Sequence, residues 1–176
     1  MSEKRRFLTV REVVLFAMLG TIMFLSKLVM EALPNIHLVG ALTMAYTVVY
    51  RSKALIPIYI FVILTGIYTG FSPWNVHYIY VWAVLWGVTM LLPRKMSRRA
   101  SCVVYPLVCA LHGLFSGVLG APAHAMVFGL DFRGMLTLIV AGAAFDITHG
   151  IGNFVAGLLI LPLSELLLRL EEKSRR

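Results

Sequence analysis

Asp146, His149 and Asn153 are the residues of this chain whose types and spacing best support chemistry. On a helix they are i, i+3 and i+7, so they share one face. An acid and an imidazole one turn apart can pair, pass a proton or hold a polar ligand together, and the amide adds a donor and an acceptor. All three lie in the apolar stretch 141–157. Ionisable groups inside a bilayer are costly and mark sites facing the bundle interior. Gly142, Gly150 and Gly157 lie near the same face, and small residues let a second helix or a ligand come close. The competing reading is a polar face that only pins neighbouring helices together.

Counted from residue 135, Asp146 is roughly 16 Å down a helix at the usual rise per residue, near mid-membrane. That depth suits the floor of a pocket. Candidates for its lid are Trp74, Asn75 and His77, after the Ser-Pro turn in the connecting segment 70–78. Tyr78, Tyr80, Trp82 and Trp86 read as interface anchors, because aromatics collect at membrane boundaries. His112 reads equally as a helix-to-helix hydrogen bond and as a ligand contact. Glycines 113, 117 and 120 with Pro122 are expected to bend the segment carrying His112 and His124, and bent helices often line cavities.

The elements that position these residues follow from composition. Of 176 residues, 60% are hydrophobic and 14% charged, with a mean hydropathy of +0.86. Soluble domains average about 25% charged residues, so the chain is expected to be an all-α integral membrane protein with one bundle and no separate soluble domain. The net charge of +8 does not point to nucleic acid: the basic residues sit at the ends and between apolar runs, as membrane topology requires. No cleavable signal is expected, since the apolar segment after the basic start lacks a small-residue cleavage site. Cys102 and Cys109 fall in one apolar run and read as small buried hydrophobes.

Apolar runs predict six spans, at about residues 12–30, 37–50, 54–70, 76–92, 102–128 and 135–168. The second is short for a core of about 30 Å. The last two are long, and are expected to tilt or to break at Pro122 and Pro162. Lys4, Arg5, Arg6, Arg11, Arg51, Lys53, Arg94, Lys95, Arg98, Arg99, Arg169, Lys173, Arg175 and Arg176 all fall on one side of this arrangement. Only Lys27 and Arg133 fall towards the other. The positive-inside rule then places both termini in the cytoplasm and the segments with Asn35, His77 and Asp131 outside.

No GxxxxGK[ST], HExxH or GxSxG stretch occurs, so the chain carries no motif for nucleotide hydrolysis, metalloprotease or serine-hydrolase chemistry. Metal ligands at short spacing are missing too. No catalytic residue, metal or cofactor is expected. The chain reads as a binding or transport subunit without an energy source of its own.

Residues 145–163, FDITHGIGNFVAGLLILPL, resemble the last helix of the S-components, the substrate-binding membrane subunits of energy-coupling factor (ECF) transporters, which often reads D-x-x-H-x-x-G-N before an apolar stretch and Pro-Leu. The resemblance also takes in size, six spans, cytoplasmic termini and basic internal loops. It implies a prokaryotic cell-membrane subunit that captures a vitamin or related micronutrient outside. Its partners would be a transmembrane coupling protein and two cytoplasmic ATPases, whose ATP hydrolysis topples the subunit and releases substrate inside. In the family, an Ala-x-x-x-Ala pattern on the first helix meets the coupling protein. Ala17 and Thr21, with Gly20 beside them, are the nearest match, Thr21 standing for the second alanine. Substrate contacts would fall on Asp146, His149 and Asn153, and more loosely on Asn35, His37, Trp74, Asn75 and His77. The start Met-Ser-Glu lacks the Met-His arrangement of the metal-ion members. The residue set favours a neutral or cationic heterocycle, with cobalamin and a queuine-like base both open. The alternative class is a proton-coupled secondary transporter or channel with Asp146 and His149 as its relay.

Overall fold

The computed structural model describes residues 8–33, 35–72 and 75–174. They form eight α-helices: α1 (Val10–Val29), α2 (Val39–Tyr50), α3 (Leu55–Thr69), α4 (Tyr78–Leu91), α5 (Arg98–Leu114), α6 (Ser116–Phe128), α7 (Phe132–Gly157) and α8 (Ile160–Ser174). A 3-10 turn, Arg51–Ala54, joins α2 to α3.

Local chemistry sets the boundaries. Thr9 and Glu12 form a reciprocal capping box at the start of α1, which satisfies amides the first turn would leave unpaired. Ser97 caps α5 and Asp131 caps α7, the latter accepting from Gly134 N–H at 2.7 Å. Gly70 ends α3 and Gly129 ends α6, at φ of +76° and +63°, a backbone region glycine enters without steric cost. The long fifth run breaks at Phe115, while Pro122 sits inside α6. The long sixth run breaks at Leu158–Leu159, whose amides close tight i→i−3 bonds to Val155 and Ala156 at 3.2 and 3.0 Å. The ring of Pro162 would collide with the Leu158 carbonyl of a continuous helix.

By length and composition, four helical stretches suffice to cross a bilayer: Val10–Val29, Val39–Thr69, Arg98–Phe128 and Phe132–Gly157. Helix α4, Tyr78–Leu91, is apolar but shorter. Large side chains such as Met18, Ile22, Ile63, Val88, Val103, Val140 and Ile151 point outward. So extensive an apolar exterior is what lipid, rather than water, surrounds.

Helix α2 is the axis of the bundle. Residues 39–47 are all buried, as expected of a helix that is apolar all round. It touches α1, α4, α5, α7 and α8. Phe16, Met23, Ile58, Phe61, Trp82, Leu85, Cys109 and Ile160 complete the core around it.

The bundle has two distinct ends. At one, Arg11 pairs with Glu171 at 3.2 Å, Lys53 with Glu12, and Arg98 with Glu165 at 3.6 Å. This brings the start of α1 to the end of α8. At the other lie the α1–α2, α3–α4 and α6–α7 connections, and there the candidate residues gather.

Candidate functional site

A cavity of about 280 Å³ opens at that second end. The α1–α2 connection contributes Asn35 and His37; His77 leads into α4, which adds Tyr78, Val81 and Trp82. Helix α6 lends Ser116, Gly117, Gly120 and His124, and α7 Leu138, Gly142, Phe145, Asp146 and His149. Of the residues expected from sequence, Asp146, His149, Asn35, His37 and His77 therefore line one cavity, although they come from three separate parts of the chain.

The close approach of α5–α6 to α7 builds its floor, and glycines make that approach possible. A β-carbon on Gly113 would lie 2.8 Å from the His149 carbonyl, and one on Gly157 would lie 2.6 Å from Pro106 Cα. One on Gly150 would strike the Leu114 side chain, and one on Gly117 the Asp146 carboxylate, at 2.2 Å. Gly142 has open space instead and faces the cavity.

Asp146 and His149 do not pair directly; Ser116 stands between them. Its hydroxyl donates to Asp146 Oδ1 at 2.7 Å, and the same oxygen atom of Asp146 accepts Gly117 N–H at 2.9 Å. His149 Nδ1 lies 3.1 Å from Ser116 Oγ. A carboxylate only accepts and a hydroxyl has one proton, so Ser116 gives its proton to Asp146 and accepts from His149 Nδ1–H. In the uncharged ring this assignment leaves Nε2 as an acceptor. That atom is buried and has no hydrogen bond among the described residues. Ser116 was not singled out from sequence; only the break before α6, which brings the first residue of that helix against α7, reveals it.

The opposite wall is aromatic. His37 meets His149 edge to face at 4.9 Å and Trp82 at 5.8 Å. Tyr78 packs on Trp82 at 5.7 Å. Trp82 is only 2% exposed, and its indole N–H has no hydrogen bond among the described residues. Tyr78 and Trp82 are thus cavity walls rather than interface anchors; their i, i+4 spacing just after His77 was the available signal. Trp86 is also internal, donating to the Arg51 carbonyl at 3.0 Å, and Tyr80 donates to the Leu119 carbonyl at 2.5 Å. His112 makes the helix-to-helix bond, with Nε2 3.1 Å from the Val81 carbonyl. A smaller hollow of about 140 Å³ adjoins the cavity across Asn35, His37 and Tyr78 and runs to Lys27 and Glu31.

Two expected residues among those described lie elsewhere. Asn153 is fully buried behind the floor, next to Gly40 and Gly113, and does not line the cavity. Its i+7 position puts it on the face of His149 but at the level where α2 and α5 press on α7. Asn75 bonds Thr69 Oγ1 within its own turn, so its side chain is spent locally. Trp74 lies outside the described residues. On α1, Ala17 and Thr21 are exposed, with Thr21 Oγ1 donating to the Ala17 carbonyl at 2.9 Å. Gly20 instead faces inward: a β-carbon there would lie 2.9 Å from the Pro57 carbonyl of α3.

A scan of protein-family models finds no match for the chain, and neither do searches of curated proteins and of solved structures.

Proposed function

We propose that the chain is the substrate-binding membrane subunit of an ECF-type importer. The observation that carries this reading is the cavity itself. It is enclosed by histidines, aromatics and one carboxylate at a single end of an apolar bundle, and its floor residues Asp146 and His149 belong to the sequence that resembles the S-components. Asp146 lies fourteen residues into α7 from Phe132, roughly 21 Å along the axis, so a ligand on the floor would sit near the bilayer midplane. In this reading α1, α2, α3, α4, α5–α6 and α7–α8 make six crossings. The basic end faces the cytoplasm and the cavity faces out, in a prokaryotic cell membrane. The chain holds no nucleotide motif, so energy comes from two ATPases through a coupling protein, and the coupling protein docks on the exposed Ala17–Thr21 face.

The hydrogen-bonded series Asp146–Ser116–His149 also suits a second reading, a proton-coupled transporter working alone. One experiment separates the two. The purified protein is analysed for a copurifying small molecule by mass spectrometry, and uptake of that molecule is measured in cells with and without a co-expressed ATPase module. Uptake only with the module supports the importer subunit. Uptake without it, abolished by a protonophore, supports the second reading.

A further inference from the structure

The polar groups of the lining residues restrict what can occupy the cavity. His149 is 8% exposed, and its Nε2 is an acceptor without a bond among the described residues. Asp146 uses Oδ1 for both Ser116 and Gly117, which leaves Oδ2 at the cavity wall as a second acceptor. Asp146 and His149 are one helical turn apart, so both acceptors address the same face. Trp82, nearly fully buried, lines the cavity as an aromatic wall. Among the described residues that line the cavity, Asp146 is the only Asp, Glu, Lys or Arg.

We propose that the cavity selects a small planar nitrogen heterocycle carrying adjacent N–H donors, as on an amino-substituted pyrimidine. Its N–H groups bond Asp146 Oδ2 and His149 Nε2, and its faces lie against His37 and Trp82. This rests on the binding role of the same cavity and specifies its substrate class. An occupant lacking donors leaves the buried His149 Nε2 and the half-buried Asp146 Oδ2 unpaired, and a site built to bond a donor rejects analogues without one. An anion meets the Asp146 carboxylate with no lining Lys or Arg to offset it. Size adds a further limit: about 280 Å³ is at the low end of ligand sites, and a corrinoid macrocycle such as cobalamin cannot be enclosed there.

The test uses the full chain in lipid nanodiscs and three probes of one shape: 2,4-diaminopyrimidine, 2,4-dimethylpyrimidine and pyrimidine-4-carboxylate. Binding is followed by ligand-observed NMR at millimolar concentrations, the range for molecules of this size. The diamino compound is expected to bind at least about tenfold more tightly than the dimethyl compound, and the carboxylate not at all. Asp146→Asn keeps an oxygen for Ser116 and Gly117 but places an NH₂ donor in the cavity. It is expected to erase the preference for the diamino compound while the protein stays monodisperse. Failure of the diamino compound to bind, equal binding of the dimethyl or carboxylate probe, or an unchanged preference in Asp146→Asn would each overturn the proposal. ATPase-dependent uptake of the copurifying compound is measured separately, so the importer reading can stand while this one falls.

Discussion

Replacing Ser116 by alanine tests how the cavity floor is held. The hydroxyl makes two bonds, 2.7 Å to Asp146 and 3.1 Å to His149. Bonds between neutral groups contribute about 1 kcal/mol and those to charged groups about 1.5–3 kcal/mol. The two losses are not equal. Asp146 keeps Gly117 N–H at 2.9 Å and borders the cavity, so water compensates part of the charged bond. His149 is buried, with its Nδ1 proton aimed at no other group among the described residues. A net loss of about 1–3 kcal/mol follows for the arrangement that presents Nε2, or about 5- to 150-fold in affinity. The assay is the affinity for 2,4-diaminopyrimidine in nanodiscs, with the thermal midpoint measured alongside. Ser116→Thr keeps the hydroxyl and is expected to retain affinity within about threefold. If Ser116→Ala binds within about twofold of wild type at an unchanged midpoint, the Asp146–Ser116–His149 series does not position His149.

Asn153→Ala should leave diaminopyrimidine affinity unchanged within about twofold, whereas His149→Ala should lower it at least fivefold; equal losses would place Asn153 in the site after all. Gly157→Ala puts a methyl group 2.6 Å from Pro106 Cα, a backbone atom that cannot swing away, and should cost about 1–3 kcal/mol of stability, read as a lower thermal midpoint in detergent. Ala17→Leu, on the exposed face of α1, should spare binding and abolish ATPase-dependent uptake; Gly20→Leu should lower the thermal midpoint instead, because its side chain would enter α3. Reporter fusions after Arg94 and Ser174 should read cytoplasmic and fusions at Glu31 and Asp131 external. A Ser174 fusion reading external would refute the orientation.

The sequence by itself determined the helical, membrane-type character of the chain, since apolar runs of such length admit little else. It determined most helix limits to within a few residues, because Thr9, Ser97, Asp131, Gly70 and Gly129 act through local backbone chemistry. It also marked Asp146 and His149, as polar groups in apolar surroundings stand out without any knowledge of their neighbours. Tertiary structure decided who those neighbours are. The periodicity of α7 placed Asn153 beside His149, yet α2 and α5 close over that level and leave the cavity to the turn above. Direct pairing of Asp146 with His149 was an i, i+3 expectation; the break at Phe115 brings Ser116 between them, and nothing near residue 146 in the sequence encodes that contact. Trp82 and Gly20 illustrate the same limit. An aromatic or a glycine on an apolar helix serves lipid, core or partner alike, and only the direction in which the packed helix turns that face decides which.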